Sequence, residues 1–342
     1  MPRNLLQIIN QVQGELGLTM QPTIIGNTDG TTVQMLNLLT GLGDDLRRMH
    51  RWPQFEWEYI IEVAPALSLT GNLTANSAEV FNIQPNTTGI QPWTFQCQVP
   101  GIPTPARVVE IVSSSSLILS LESPTSQTGV SFLAAQDTYP IPVDFDFFTD
   151  RTAWDRTNRW ELLGPDSPQM DQWHQSGVVP TGPRRHWRRL GPFASNGVTP
   201  GSAQGQFRLW PAPYEIASNL QLVWEYASLY TVATGGNFNV PAAGYNAGVP
   251  FTPFSQFWTS DTDQPLLDDD LLIKGLKWKF WEAKGFNYVN MKNDWIDYAD
   301  MMYARAHGAK TLNLVKRVNP IFISPANVQD GFFPGPTGPN SF

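Results

Sequence analysis

Apolar residues recur at helical spacing where the chain opens. Leu5, Ile9, Val12 and Leu16 fall 4, 3 and 4 positions apart, one face of a helix, with Gly17 where such a helix stops. A polar loop over residues 19–30 leads to a second stripe, Met35, Leu39, Leu42, Leu46 and Met49. Asp29 or Thr31 is its cap and Pro53 its close. From Phe55 the period shortens, and residues 56–62 mix charge with β-formers as a half-exposed strand does. Short β runs follow at 77–83, 94–99, 107–112, 117–121 and 130–133, with turn residues between them. That spacing predicts a small sandwich or barrel. A second β region, residues 139–230, contains a strand at 145–149, a hairpin-like pair at 184–190 and 206–210, and an alternating strand at 220–226. The Gly-rich stretch 235–254 reads as a long loop of the kind that is often functional. Helical periodicity returns with Ile273, Leu276, Phe280 and Ala283, then, beyond Gly285, with Tyr288, Met291, Trp295, Tyr298 and Met302.

These elements predict an α+β fold: a helical bundle of N-terminal and C-terminal helices packed with an antiparallel β body, plus an inserted small all-β module. The expected boundaries are 1–65 for the first helices and strand, 66–136 for the insert, 137–308 for the remaining body, and 309–342 for an extended Pro/Gly-rich tail. A length of 342 residues is enough for about two domains. Thirteen Trp and nineteen Phe argue against disorder in the body. The insert differs in composition, being rich in Ser, Thr, Asn, Gly and Pro and nearly free of charge.

Charge and reactive residues then narrow the chemistry. The net charge of −8 disfavours gripping DNA over the whole surface, because that grip comes from Lys and Arg on phosphates. The single cysteine, Cys97, excludes an internal disulfide framework and reads as a small core residue. No phosphate loop, GxGxxG, GxSxG or HExxH occurs. The four histidines, His50, His174, His186 and His307, include no pair at i, i+3 or i+4, so a metal site has no local support. Asp268, Asp269 and Asp270 read as helix-start charges rather than as a metal cluster. No catalytic, cofactor-binding or metal-ligating residue is assigned on these grounds. No apolar run approaches the length of about 20 residues that spans a bilayer, so no membrane partner is expected. Nor does the first stretch read as a signal peptide, which places the expected site of synthesis and assembly in a host cytoplasm.

One concentration of positive charge stands out. In residues 184–190, Arg184, Arg185, Arg188 and Arg189 surround Trp187. Extended backbone puts Arg184, His186 and Arg188 on one side and Arg185, Trp187 and Arg189 on the other. Such a strand faces solvent or the acids of a neighbouring subunit, or contacts nucleic acid.

Three stretches together resemble the head-to-tail adaptor proteins of tailed bacteriophages, of the tail tubular protein A type in short-tailed phages. The first is Asp44-Asp-Leu-Arg-Arg-Met-His-Arg-Trp52. The second is Tyr139-Pro-Ile-Pro-Val-Asp-Phe145 with Trp154-Asp-Arg-Thr-Asn-Arg159 and Leu162-Leu-Gly-Pro165. The third is Asp261-Thr-Asp263 with Leu266-Leu-Asp-Asp-Asp-Leu-Leu272, Gly275-Leu-Lys-Trp278 and Ala283-Lys-Gly285. The resemblance covers roughly residues 1–65 and 137–308 and leaves out the insert, the 235–254 loop and the tail. It implies a virion protein that assembles as a twelve-fold ring beneath the portal, continues the channel for double-stranded DNA and docks the next tail or nozzle component. Extended termini in such rings grasp the portal, so residues 310–342, from Lys310 to Phe342, are the expected docking segment, and the four arginines are expected at a subunit boundary or facing DNA. A receptor- or carbohydrate-binding tail component is the alternative, motivated by the Ser/Thr-rich insert and the tryptophans; a virion-borne hydrolase is the third reading.

Overall fold

The computed structural model describes residues 3–102, 105–176, 184–191, 205–214, 220–236, 245–246 and 254–307, and these form an α+β fold. The expected tail at 309–342 lies outside them, as does most of the loop at 235–254. Helix α1 (Leu5–Glu15) opens with a capping box in which the Asn4 side chain accepts from the Gln7 amide and the Gln7 side chain accepts from the Asn4 amide. Two amides that a helix leaves unpaired are thereby satisfied. Of the two candidate caps for α2 (Gly30–Met49), Asp29 takes the role by accepting from the Thr32 amide, a bond that holds its carboxyl below the usual 3.8. The later helices are α3 (Pro168–Gln175), which the residue pattern did not announce, α4 (Asp269–Lys284) and α5 (Val289–His307). Asp268 caps α4 and Gly285 ends it in the left-handed conformation, so the acidic triplet is a helix start.

Helices α1, α2, α4 and α5 share one core, built from Leu5, Ile9, Val12, Met35, Leu39, Leu42, Leu46, Leu271, Leu276, Phe280, Trp295 and Ala299. A Cβ on Gly275 would sit 2.5 Å from a Leu42 methyl and 2.8 Å from the Trp295 indole nitrogen, so α2 and α5 can close on α4 only across a glycine. The stripes run further along the sequence than the core does. Met49 and Ala283 are exposed, and Tyr288, Met291, Tyr298 and Met302 are only half-buried, because α5 packs chiefly on α4 and nothing described covers its outer side.

After β1 (Glu56–Val63) the chain enters a closed antiparallel barrel of six strands: β2 (Leu67–Leu73), β3 (Ser77–Gln84), β4 (Phe95–Gln98), β5 (Ala106–Ser113), β6 (Ser116–Ser123) and β7 (Gln127–Gln136). Their order is β2-β3-β6-β5-β4-β7. Closure removes the free edges that a sheet this small would expose. Leu69, Val80, Ile83, Val108, Leu117, Leu119 and Phe132 fill it together with Cys97, whose thiol burial pushes up to about 12.

The remaining strands form the body. β8 (Thr138–Pro140), β12 (His186–Leu190) and β13 (Gln206–Trp210) make one sheet, in the order β12-β13-β8. A second sheet has the order β11-β10-β14-β1-β16, with β9 also on β14. Its members besides β1 are β9 (Phe145–Phe148), β10 (Trp154–Asp155), β11 (Trp160–Glu161), β14 (Leu220–Ser228) and β16 (Tyr245–Asn246). Tyr59, Phe145, Trp187, Phe207, Trp224 and Tyr226 share the core between the two sheets. The hairpin expected from residues 184–190 and 206–210 is present, with His186 opposite Trp210 and Leu190 opposite Gln206. A small third sheet places β15 (Val232–Ala233) between β17 (Phe254–Ser255) and β18 (Gln264–Pro265). No helix among the described residues is long and apolar enough to cross a membrane.

Asp144 lies beneath this body, 1% exposed, accepting from the Tyr226 hydroxyl at 3.0 Å and the Ser228 hydroxyl at 2.5 Å. Burial pushes its carboxyl above the usual 3.8 and outweighs both hydrogen bonds. The folded state therefore holds a proton that the unfolded chain has released, and stability falls as pH rises from 3.8 through the raised value. Asp144→Asn is expected to remove this fall and to leave the protein at least as stable at neutral pH as the wild type. Urea unfolding between pH 4 and 8 checks it, and an equal slope in both proteins contradicts it.

Candidate functional site

Strand β12 is held in place by residues far from it in sequence. The Leu163 amide donates to the Arg185 carbonyl at 2.8 Å, and the Trp187 amide donates to the Leu163 carbonyl at 2.8 Å. The Asp166 amide then donates to the Trp187 carbonyl at 2.8 Å. Between these bonds, Gly164 has φ of +143°, and a Cβ there would lie 2.4 Å from the Trp187 carbonyl oxygen. The Leu-Leu-Gly-Pro segment is thus a clamp whose third position admits only glycine. Ser167 follows as the cap of α3, accepting from the Met170 amide, with Pro168 at the first helical position.

The arginines on β12 meet carboxylates of their own chain. Arg185 is buried, and its guanidinium donates to Asp155 at 3.0 Å. Asp155 also accepts from the amide and the side chain of Asn158, each at 2.9 Å, so the Trp-Asp-Arg-Thr-Asn-Arg stretch is a tight turn built to present one buried carboxylate. Arg188 donates to Asp171 of α3 at 2.6 Å, and Arg208 of β13 donates to the same oxygen at 3.3 Å. Burial, with the charge of Arg107 adding, lowers the Arg208 guanidinium from 12.5, while Asp137 and Asp171 pull it back. Beyond it Arg107 of the barrel reaches Asp137 at 2.5 Å, and burial lifts that carboxyl above 3.8 against the pull of both arginines. Arg189 is exposed, with its guanidinium 4.7 Å over the Phe145 ring, and Arg184 is half-buried. Of the four arginines expected as a set at a boundary or on DNA, Arg185 and Arg188 pair with carboxylates of their own chain. The reason is the turn that starts in β10 and helix α3, which carry Asp155 and Asp171 to the strand.

The same fold assembles a cluster that residue spacing did not reveal. His174 of α3 and His186 of β12 are 12 positions apart, yet their rings lie 4.2 Å apart between centroids. Asp166 sits beside both, its carboxylate 3.2 Å from His186 Nδ1 and 3.6 Å from His174 Nε2. For these two histidines, the support for a metal site that local spacing lacks is supplied by the fold. The only sequence signal that bears on them is Ser167-Pro168, which marks the start of the short helix carrying His174. His50 is elsewhere, 2.8 Å from Asp300 in the helical layer, and His307 ends α5. A cleft of 310 Å³ opens nearby, lined by Phe145, Phe148, Arg151, Glu161, Trp187 and Arg189 among others. The expected docking segment from Lys310 to Phe342 lies outside the described residues.

No protein-family model matches this chain, and no curated protein matches it.

Arg185→Gln is expected to lower stability by about 3–5 kcal/mol, because Asp155 is left buried without its cation. The double variant Arg185→Gln with Asp155→Asn is expected to recover part of that loss. Chemical denaturation of the single and the double variant measures the recovery; equal loss in both contradicts it.

Proposed function

We propose that this chain is a structural virion protein that forms a head-to-tail adaptor ring beneath a phage portal, continues the DNA channel and docks the tail. The reading rests on the three stretches that resemble such adaptors, and one observation supports it above the others: the first and third stretches tie the helical layer to the sheets. At the end of α2, Arg47 bonds Asp146 beside β9, Arg51 bonds Thr149, and Asp44 accepts from Gln256 at 3.3 Å. Asp261 accepts from the Ile24 and Ile25 amides at 3.0 and 2.8 Å, and the Asp263 carbonyl accepts from Leu5 at 2.8 Å. The first and third stretches are therefore fastenings between the helical layer and the sheets, and the second fastens strands of the body to one another. A pattern of that kind belongs to a shared architecture, not to a shared reaction.

In this reading the helices act as a bundle that packs on further copies of itself, through surfaces such as the half-buried flank of α5. The barrel is an inserted module that adds to the ring without altering its body. The acidic balance of −8 suits a conduit, since a repulsive wall keeps DNA from sticking. The arginine strand, of which Arg189 is the exposed member, meets a neighbouring copy or passing DNA at one level of the channel. The partners are eleven further copies in a dodecamer, the portal, a distal tail or nozzle protein, and double-stranded DNA read without sequence specificity. The protein is made in the host cytoplasm and resides at the head–tail interface of the virion. Binding of a receptor or carbohydrate is the second reading, favoured by a groove of 420 Å³ on the barrel that includes Ser68, Gln98, Ser131 and Phe132.

Native mass spectrometry of the protein alone, and after mixing with the portal from the same source, tests the proposal. One discrete complex with the portal is expected. A monomer or trimer indifferent to the portal overturns the adaptor reading in favour of the second one. The variant Arg189→Gln, at the exposed arginine of the strand, is expected to impair ring assembly or DNA retention, with its folding checked by circular dichroism; unchanged assembly and infectivity refute that placement.

A further inference from the structure

We propose that Asp166, His174 and His186 bind one divalent transition-metal ion of the Zn²⁺ class. The inference is independent of the adaptor reading and rests on geometry and on an unmet valence.

The geometry comes first. One donor atom from each of the three residues lies within 4.8 Å of those of the other two. Four-coordinate zinc holds nitrogen and carboxylate oxygen at about 2.0–2.2 Å, which sets donor atoms about 3.3 Å from one another. The Asp166 carboxylate already stands 3.2 Å from His186 Nδ1 and 3.6 Å from His174 Nε2. Small rotations of the side chains are enough to close the set on an ion. The backbones beneath these side chains are fixed independently: Asp166 by the Trp187 carbonyl, His174 by the helix capped at Ser167, and His186 by its ladder with Trp210 and its bridge to Leu163. Loop, helix and strand thus present their donors to one point before any ion arrives.

The valence is the second observation. The His174 side chain is only 7% exposed, and neither of its ring nitrogens makes a hydrogen bond. A neutral imidazole carries one lone pair that needs a donor, and leaving it unmet in the interior costs about 1–3 kcal/mol. The lone pair of a buried, unbonded imidazole beside a second imidazole and a carboxylate is what a metal ion satisfies. Asp171, three residues before His174 on the same helix, is excluded as a further ligand because Arg188 and Arg208 share one of its oxygens.

Two imidazoles with one carboxylate select borderline first-row ions over Ca²⁺ and Mg²⁺, which prefer oxygen donors throughout. Three protein donors leave one tetrahedral position for water or for a donor from another molecule. The bound ion cross-links α3 to β12, and so ties the helix to the strand that carries the arginines.

The experiment uses the full chain without an affinity tag, stripped with chelator and titrated with ZnCl₂ by calorimetry, then with Co²⁺ by visible absorption. The expected result is one Zn²⁺ per chain, a rise in unfolding temperature on binding, and Co²⁺ bands of four-coordinate intensity. His174→Ala and His186→Ala are each expected to lose stoichiometric binding and the Co²⁺ bands, and His50→Ala to keep both. Should an alanine variant fail to fold by circular dichroism, Asp166→Asn keeps the shape of the site and is expected to weaken Zn²⁺ binding and shift the Co²⁺ bands. No stoichiometric binding by the wild type, or binding that survives in folded variants of both histidines, overturns the proposal.

Discussion

Buried charge, matched in pairs, holds the parts of this protein in register. Only 15% of the residues are charged, yet several of those charges lie in the interior. Arg107 of the barrel meets Asp137 where the barrel joins the body. Arg208 of β13 stands next in the same field and shares Asp171 with Arg188 of β12. Arg185 closes the series on Asp155. A charge taken out of water is tolerated only beside its opposite, and an alternating series is therefore satisfied in one arrangement of barrel, sheets and α3. Any slip of β12 by one residue would turn Arg185 outward, bury Arg184 or His186 in its place and strand Asp155.

The helical layer is fastened to the sheets by a different device. Asp261 and Asp263 accept from backbone amides on loops that belong to different elements, Asp261 from residues 24 and 25, Asp263 from Gly235, Thr259 and Ser260. A carboxylate that gathers amides fixes the path of a loop without the aid of an apolar core. Gly275 does the same work inside the layer by omission, since its missing side chain lets Leu42 and Trp295 close on α4. The most distinctive sequence pieces turn out to be fastenings: Trp154-Asp-Arg-Thr-Asn-Arg159 presents Asp155, and Leu162-Leu-Gly-Pro165 clamps β12. Their role in the fold is architectural.

Local pattern determined the helices α1, α2, α4 and α5, whose buried faces repeat every 3.6 residues, and the strands β1, β9, β12, β13 and β14 and the β character of residues 77–133, which are short β-forming runs bounded by turn residues. Capping was equally legible, since Asp29, Asp268 and Gly285 act on their immediate neighbours. β2 alternates as a strand does but escaped because Gly71 and Asn72 are residues that strands disfavour, and α3 because its burial rests on Asp171 and His174 rather than on an apolar stripe. Which strands closed into a barrel, where α5 stopped being covered, and which arginines were neutralised were decided only in three dimensions. Those outcomes depend on pairings between residues that no local spacing links: Arg185 with Asp155, Arg188 with Asp171, and His174 with His186 and Asp166. A local pattern records what a residue needs from its neighbours in the chain, whereas a charge or an imidazole is completed by whatever the fold brings across to it.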